Sequence, residues 1–130
     1  EDDALLFLWV TPPCLLEGLE LMQKWGFDYV TKGFNWVKLN KKKDTPFMGT
    51  GYYTRSNAED CLIGKRGRGL KRVDAGVRQV VLSKIREHSR KPDEVRDAIV
   101  RLVGDVPRLE MFGRTETPGW DVFGNEVGKF

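Results

Sequence analysis

The sequence predicts an α/β fold: a Rossmann-like sheet with flanking helices, entered partway along and incomplete on its N-terminal side. Two observations carry this. A continuous apolar run, Ala4 to Val10, has the length and composition of a strand buried on both faces. Two helical patterns, one after Pro12-Pro13 and one after Pro92, alternate with strand-like segments. Such alternation calls for at least one parallel crossover. All 130 residues read as one domain, long enough to build a core.

Leu5–Val10 is the first strand. Pro12 and Pro13 can then open a helix, because proline lacks only an N–H that would be unpaired there anyway. Leu15, Leu19 and Met22 follow at i, i+4 and i+7 as an apolar stripe, and Gly26 is a natural stop. Phe27–Lys38 is rich in aromatic and β-branched residues and reads as one long or two short strands. Residues 39–58 read as an extended loop with Lys41, Lys42 and Lys43, then Gly49 and Gly51. Glu59–Gly64 is a short strand, Lys65–Arg72 a basic glycine-containing loop, and Val77–Leu82 another strand. From Pro92 to about Val103, Val95, Ala98, Ile99, Leu102 and Val103 share one helical face. Arg108–Phe112 closes the pattern as a strand.

Charge is distributed unevenly. Residues 32–72 hold eleven Lys or Arg against Asp44, Glu59 and Asp60, while the whole chain is only +3. A segment that basic, with its loop region at about 39–72, suits a polyanionic partner or is simply a solvated loop surface. Cys14 and Cys61 are isolated and the chain has a single histidine, so no metal site is implied and reduced cytosolic thiols are expected. The apolar run at Ala4–Val10 is far short of the ~20 residues a membrane span needs. The expected location is cytoplasmic, or nuclear in a eukaryote.

The C-terminal third is the most informative. Residues 86–97 end a loop and open a helix: Pro92 suits a first turn, and Asp93 and Glu94 suit the helix dipole. Lys91 breaks the pattern, since a cation there faces like-signed partial charge. A local rule broken without local benefit points to function, and a lysine beside free helix N–H groups suits a carboxylate or phosphate. Glu110-Met111-Phe112-Gly113 ends a strand on a glycine turn, which is where open α/β sheets bind ligands.

With Leu6–Thr11 and Phe34–Asn40, residues 86–97 and 108–126 form four ordered blocks. Together they resemble the MT-A70 family of adenine N6-methyltransferases, over nearly the whole chain. The resemblance implies S-adenosylmethionine (SAM) as cofactor and adenine in RNA or DNA as substrate. It also implies that the family's catalytic Asp-Pro-Pro-Trp motif lies upstream of Glu1, so no catalytic residue is expected here and the 130 residues alone are expected to be inactive. Thr11-Pro12-Pro13-Cys14 only echoes that motif, lacking its acidic first and aromatic fourth residues, and reads as a helix start.

By this resemblance Lys91 would take the methionine carboxylate of SAM, and Glu110, Phe112 and Gly113 would form a shortened cofactor loop. Arg114 and Asn125 would bond the ribose hydroxyls, with Glu126 beside them. Arg86, His88, Ser89 and Arg90 would flank the substrate; His88 is not needed as a base, because an alkylated amine loses its proton readily. Lys41, Lys42, Tyr52, Tyr53 and Arg55 interleave cations with rings and can stack and neutralise a base. The tyrosines can equally anchor their loop to the core. A homo- or heterodimer is compatible with this reading. The alternative is a catalytically inactive, nucleic-acid-binding partner subunit of the same fold.

Overall fold

A computed structural model describes residues 3–42, 45, 49, 53, 54, 57–85, 91–104, 109–111 and 121–123, the last two segments by their backbone alone. Strand β1 (Ala4–Val10) leads through a 3-10 turn at Pro12–Cys14 into helix α1 (Leu15–Lys24). Strands β2 (Asp28–Leu39), β3 (Ala58–Arg66) and β4 (Val80–Lys84) follow. Helix α2 (Asp93–Val103) precedes the short strands β5 (Leu109–Met111) and β6 (Asp121–Phe123).

The main sheet has the order β1-β3-β2-β4, and β5 pairs with β6 in a second, parallel sheet. Strand β3 is antiparallel to both its neighbours, whereas β2 and β4 are parallel. It follows that β1, β2 and β4 all run one way. Their carboxyl ends, at Val10, Leu39 and Lys84, gather at one edge with the start of β3. The parallel crossover expected from the sequence is therefore present, with α1 carrying the chain from β1 over β3 to β2.

Each helix covers one face. Helix α1 lays Met22 against Val10 and Leu62, with Leu6, Leu8, Leu19 and Phe27 around them. Helix α2 lays Val95, Ala98, Ile99 and Val103 on Phe34 and Cys61, with Phe7, Trp9 and Val81 alongside. Burying a side chain such as Phe34 or Met22, each 1% exposed, is worth roughly 1.5–3 kcal/mol. Strand alternation sets which residues reach which helix.

Several bounds differ from the sequence expectation. Residues 28–39 form one strand with two register shifts, between Tyr29 and Thr31 and between Lys32 and Phe34. Strand β3 is longer than 59–64, because it is paired along both edges. Strand β4 starts at Val80 rather than Val77, where the ladder with Asn35 begins. Leu15 is 41% exposed instead of buried. The close approach of α1 to the sheet is made at Gly18, where a Cβ would overlap the Val10 Cγ1 methyl.

Candidate functional site

Three charged side chains converge at the edge where β1, β2 and β4 end. The alternation that turns Phe34 and Trp36 toward α2 turns Lys38 the same way, and in β3 Glu59 follows Cys61. The Glu59 carboxylate accepts from Lys38 at 2.7 Å and from Lys91 at 2.9 Å. Each ammonium also sits near an indole: Lys38 Nζ is 5.4 Å from the Trp36 ring centroid and Lys91 Nζ is 5.7 Å from that of Trp9. The two indoles meet edge to face with centroids 6.2 Å apart. Such cation–ring contacts contribute about 0.5–1 kcal/mol at exposed sites and more when desolvated.

A second set of bonds fixes where Lys91 stands. It lies just ahead of α2, whose N-cap is Pro92 in an extended conformation. The Val95 N–H donates back to the Pro92 carbonyl at 3.2 Å. In the first turn of α2, Glu94 accepts from the buried Ser83 hydroxyl at 2.7 Å. The Ser83 carbonyl in turn accepts from the Trp36 indole N–H at 2.9 Å. The start of α2 is thus tied to β4, and β4 to β2.

Burial pushes the Glu59 carboxyl pKa up, but the hydrogen bonds and charges of Lys38 and Lys91 outweigh it and hold the group below its ordinary value. Glu59 is therefore ionised at neutral pH, and the three groups together carry one net positive charge. An ammonium has three donors. Lys91, whose side chain is 32% exposed, can keep Glu59 and still donate to an incoming carboxylate or phosphate. Cys61, beneath this cluster, is inert by comparison. Burial, aided by Asp60 and opposed by Lys91, pushes its thiol up to about 12.

Lys91 was expected to break a local rule without local benefit, and the structure supplies the missing compensation: Glu59 comes to it from across the sheet. Lys41 and Lys42 are exposed just past the end of β2. Tyr53 is 93% exposed. Glu110 is the middle residue of β5, its backbone opposite Val122. Tyr52, Arg55, Arg86, His88, Ser89, Arg90, Phe112, Gly113, Arg114, Asn125 and Glu126 lie outside the described residues. Lys38, Glu59, Trp9 and Trp36 were not singled out from sequence. Their signal was there in phase: Lys38 alternates with Phe34 and Trp36, and Glu59 with Cys61, on a face otherwise apolar.

The MT-A70 family model matches residues 1–126. The chain belongs to the MT-A70 family. It is 34% identical over 127 residues to the type II methyltransferase M.MunI of Mycoplasma sp, covering 97% of this chain and 52% of that protein. It is 33% identical over 130 residues to the N(6)-adenosine-methyltransferase catalytic subunit METTL3 of Homo sapiens, covering 98% of this chain and 22% of that one. The METTL3 subunit of Danio rerio is 35% identical over 133 residues, with 98% and 22% covered. The chain thus spans about half the length of the first relative and about a fifth of the other two.

In this MT-A70 chain the charged cluster occupies the carboxyl edge of the parallel strands, where sheets of this class receive ligands. Thr11-Pro12-Pro13-Cys14 forms only the turn into α1. Among the described residues no group of three or more His, Cys, Asp or Glu is placed to hold a metal ion, and no helix is long and apolar enough to cross a membrane.

Proposed function

We propose that the protein carrying this domain transfers the methyl group of SAM to N6 of adenine in RNA or DNA, and that these residues supply its cofactor grip and part of its substrate edge. The observation that carries the reading is Lys91, held at the carboxyl edge of the sheet by Glu59 with donors to spare. A flexible ammonium with unused donors beside a helix start fits an amino-acid carboxylate. Lys91 would hold that carboxylate, while Glu110, Phe112, Gly113, Arg114, Asn125 and Glu126 would hold the nucleoside portion. When bound, the cofactor supplies an electrophilic methyl on sulfur, which the adenine amine takes as it gives up a proton.

The chain's own contribution is position. Glu59 fixes Lys91 in place, and the Ser83–Glu94 bond fixes the helix start from which Lys91 reaches out. Trp9 and Trp36 shield one side of the cations from water, strengthening what charge does there. Lys41 and Lys42 would present cations, and Tyr53 a ring, to a nucleic acid. Rate would come from alignment of amine and methyl group rather than from an acid or base in these 130 residues. A homo- or heterodimer belongs to the same reading, since METTL3 is named as a subunit.

Isothermal titration of SAM into the complete protein tests this. Binding is expected in the wild type, at least about tenfold weaker in Lys91→Ala, a loss of about 1.4 kcal/mol, and partly restored in Lys91→Arg. A wild type that does not bind, or a Lys91→Ala variant that binds equally well, rejects the site.

A further inference from the structure

We infer that the end of the sheet opposite Lys91 carries a second anion-binding surface, built by residues 65–72, which takes the phosphodiester backbone flanking the target adenine. The inference rests on the nucleic-acid reading above but concerns a different part of the molecule. Strand β3 has Glu59 near one end and Lys65 near the other. Six residues at about 3.3 Å each separate them by about 20 Å.

Within eight residues this segment holds Lys65, Arg66, Arg68, Lys71 and Arg72, and no acid. It is not a loose loop. Gly67 and Gly69 take left-handed conformations with φ of 64° and 65°, and the Gly69 N–H donates to the Arg66 carbonyl at 3.1 Å. A Cβ at Gly69 would stand 3.2 Å from Leu5 Cδ2 and from Lys65 Cβ, so the turn is pressed back on the sheet. The Arg68 N–H donates to Asp3 at 2.9 Å. Leu70 packs on the core, and the Val73 N–H donates to the Leu102 carbonyl at 2.6 Å.

The backbone is therefore fastened while the cations face outward. Lys65, Arg68, Lys71 and Arg72 are exposed; Asp28 stands across from Lys65 on β2 and Asp3 takes the Arg68 N–H, but among the described residues no carboxylate forms an ion pair with the four side chains. Fixing like charges close together on a rigid backbone costs stability, and a surface needing only solubility mixes its signs. A phosphodiester chain supplies the missing anions at regular spacing. Trp25 and Tyr29, 38% and 52% exposed, lie at the same end, where Tyr29 pairs with Gly64 beside Lys65. Half-open rings next to cations suit bases and backbone together better than they suit an acidic peptide. A duplex rises about 3.4 Å per step, so about six base pairs bridge the ~20 Å from one end to the other.

The test uses the complete protein and a variant with Lys65→Ala, Arg68→Ala, Lys71→Ala and Arg72→Ala together. Affinity is measured by fluorescence anisotropy for an adenine trinucleotide and for an oligonucleotide of about 24 nucleotides, across a salt series. The long ligand should weaken about tenfold or more in the variant, and the slope of log affinity against log salt should fall by about 3, at roughly 0.7–0.9 per phosphate released. The trinucleotide and SAM should bind as before. An unchanged long-ligand affinity and slope overturns the proposal, as does an equal loss for the trinucleotide. Polyglutamate displacing the wild type's long ligand better than nucleic acid does at equal charge reassigns the surface to an acidic protein. Failure of the methyl-transfer reading shows itself separately, as absent SAM binding with the length dependence intact.

Discussion

Glu59 holds two lysines with one carboxylate, and its removal should show in both stability and acid response. Glu59→Gln leaves Lys38 and Lys91 close together with only a neutral acceptor between them, a loss we expect at about 2 kcal/mol, the scale of a charge-assisted hydrogen bond. The sign of the pH effect follows from the lowered pKa. Between the folded value and the ordinary 4.5, the unfolded chain binds more protons than the folded one, so stability rises with pH across that window. The contribution is complete above 4.5 and is lost as the solution is acidified through the folded value. Urea melts from about pH 6 downward should therefore show a steeper loss in the wild type than in Glu59→Gln; parallel curves would contradict the assignment. The sequence showed only half of this pair. Lys91 stood out because a helix start disfavours a cation, but its partner is 32 residues away in the chain. Nothing local announces a contact made through sheet pairing.

The helix and strand starts were largely readable, because Pro12, Pro92 and the apolar stripes act within a turn or two of themselves. Register was not. Strand β4 begins at Val80 because its ladder with β2 runs from Asn35 to Leu39, and that ladder is what puts Ser83 between Trp36 and Glu94. Strand β6 is three residues long, too short to carry any periodic pattern. Ser83→Ala should remove the tie between β4 and α2 and leave a Glu94 carboxylate short of a donor. A cost of about 1 kcal/mol is expected, read as a melting point lower by about 4 °C. SAM affinity should fall with it, since Lys91 stands on the loosened end. Gly18→Ala sets two effects against each other. Alanine gains up to about 1 kcal/mol of helix propensity, while the new methyl overlaps Val10, a stiff β-branched residue only 7% exposed. Overpacking of that kind costs about 1–3 kcal/mol, so the variant should melt below the wild type.

Across the whole molecule, stability should be graded from β3 outward. It is hydrogen-bonded along both edges, whereas β5 and β6 pair over three residues each in a two-stranded sheet, which is marginal without further support. Hydrogen exchange should find the amides of Cys61, Leu62 and Ile63 slowest, and those of Leu109–Met111 far faster. The α/β class and the parallel crossover were legible from alternation alone; the grouping of strands into two sheets was not, because it depends on partners distant in sequence. The two thiols give the same gradient a chemical readout. Cys14 is exposed and Cys61 is fully buried under α2, unreactive while the sheet is closed. An alkylating reagent should therefore modify one site in the first moments and the other only when the interior opens. The lag between the two additions, followed by mass, would be a built-in clock for how often this domain comes apart.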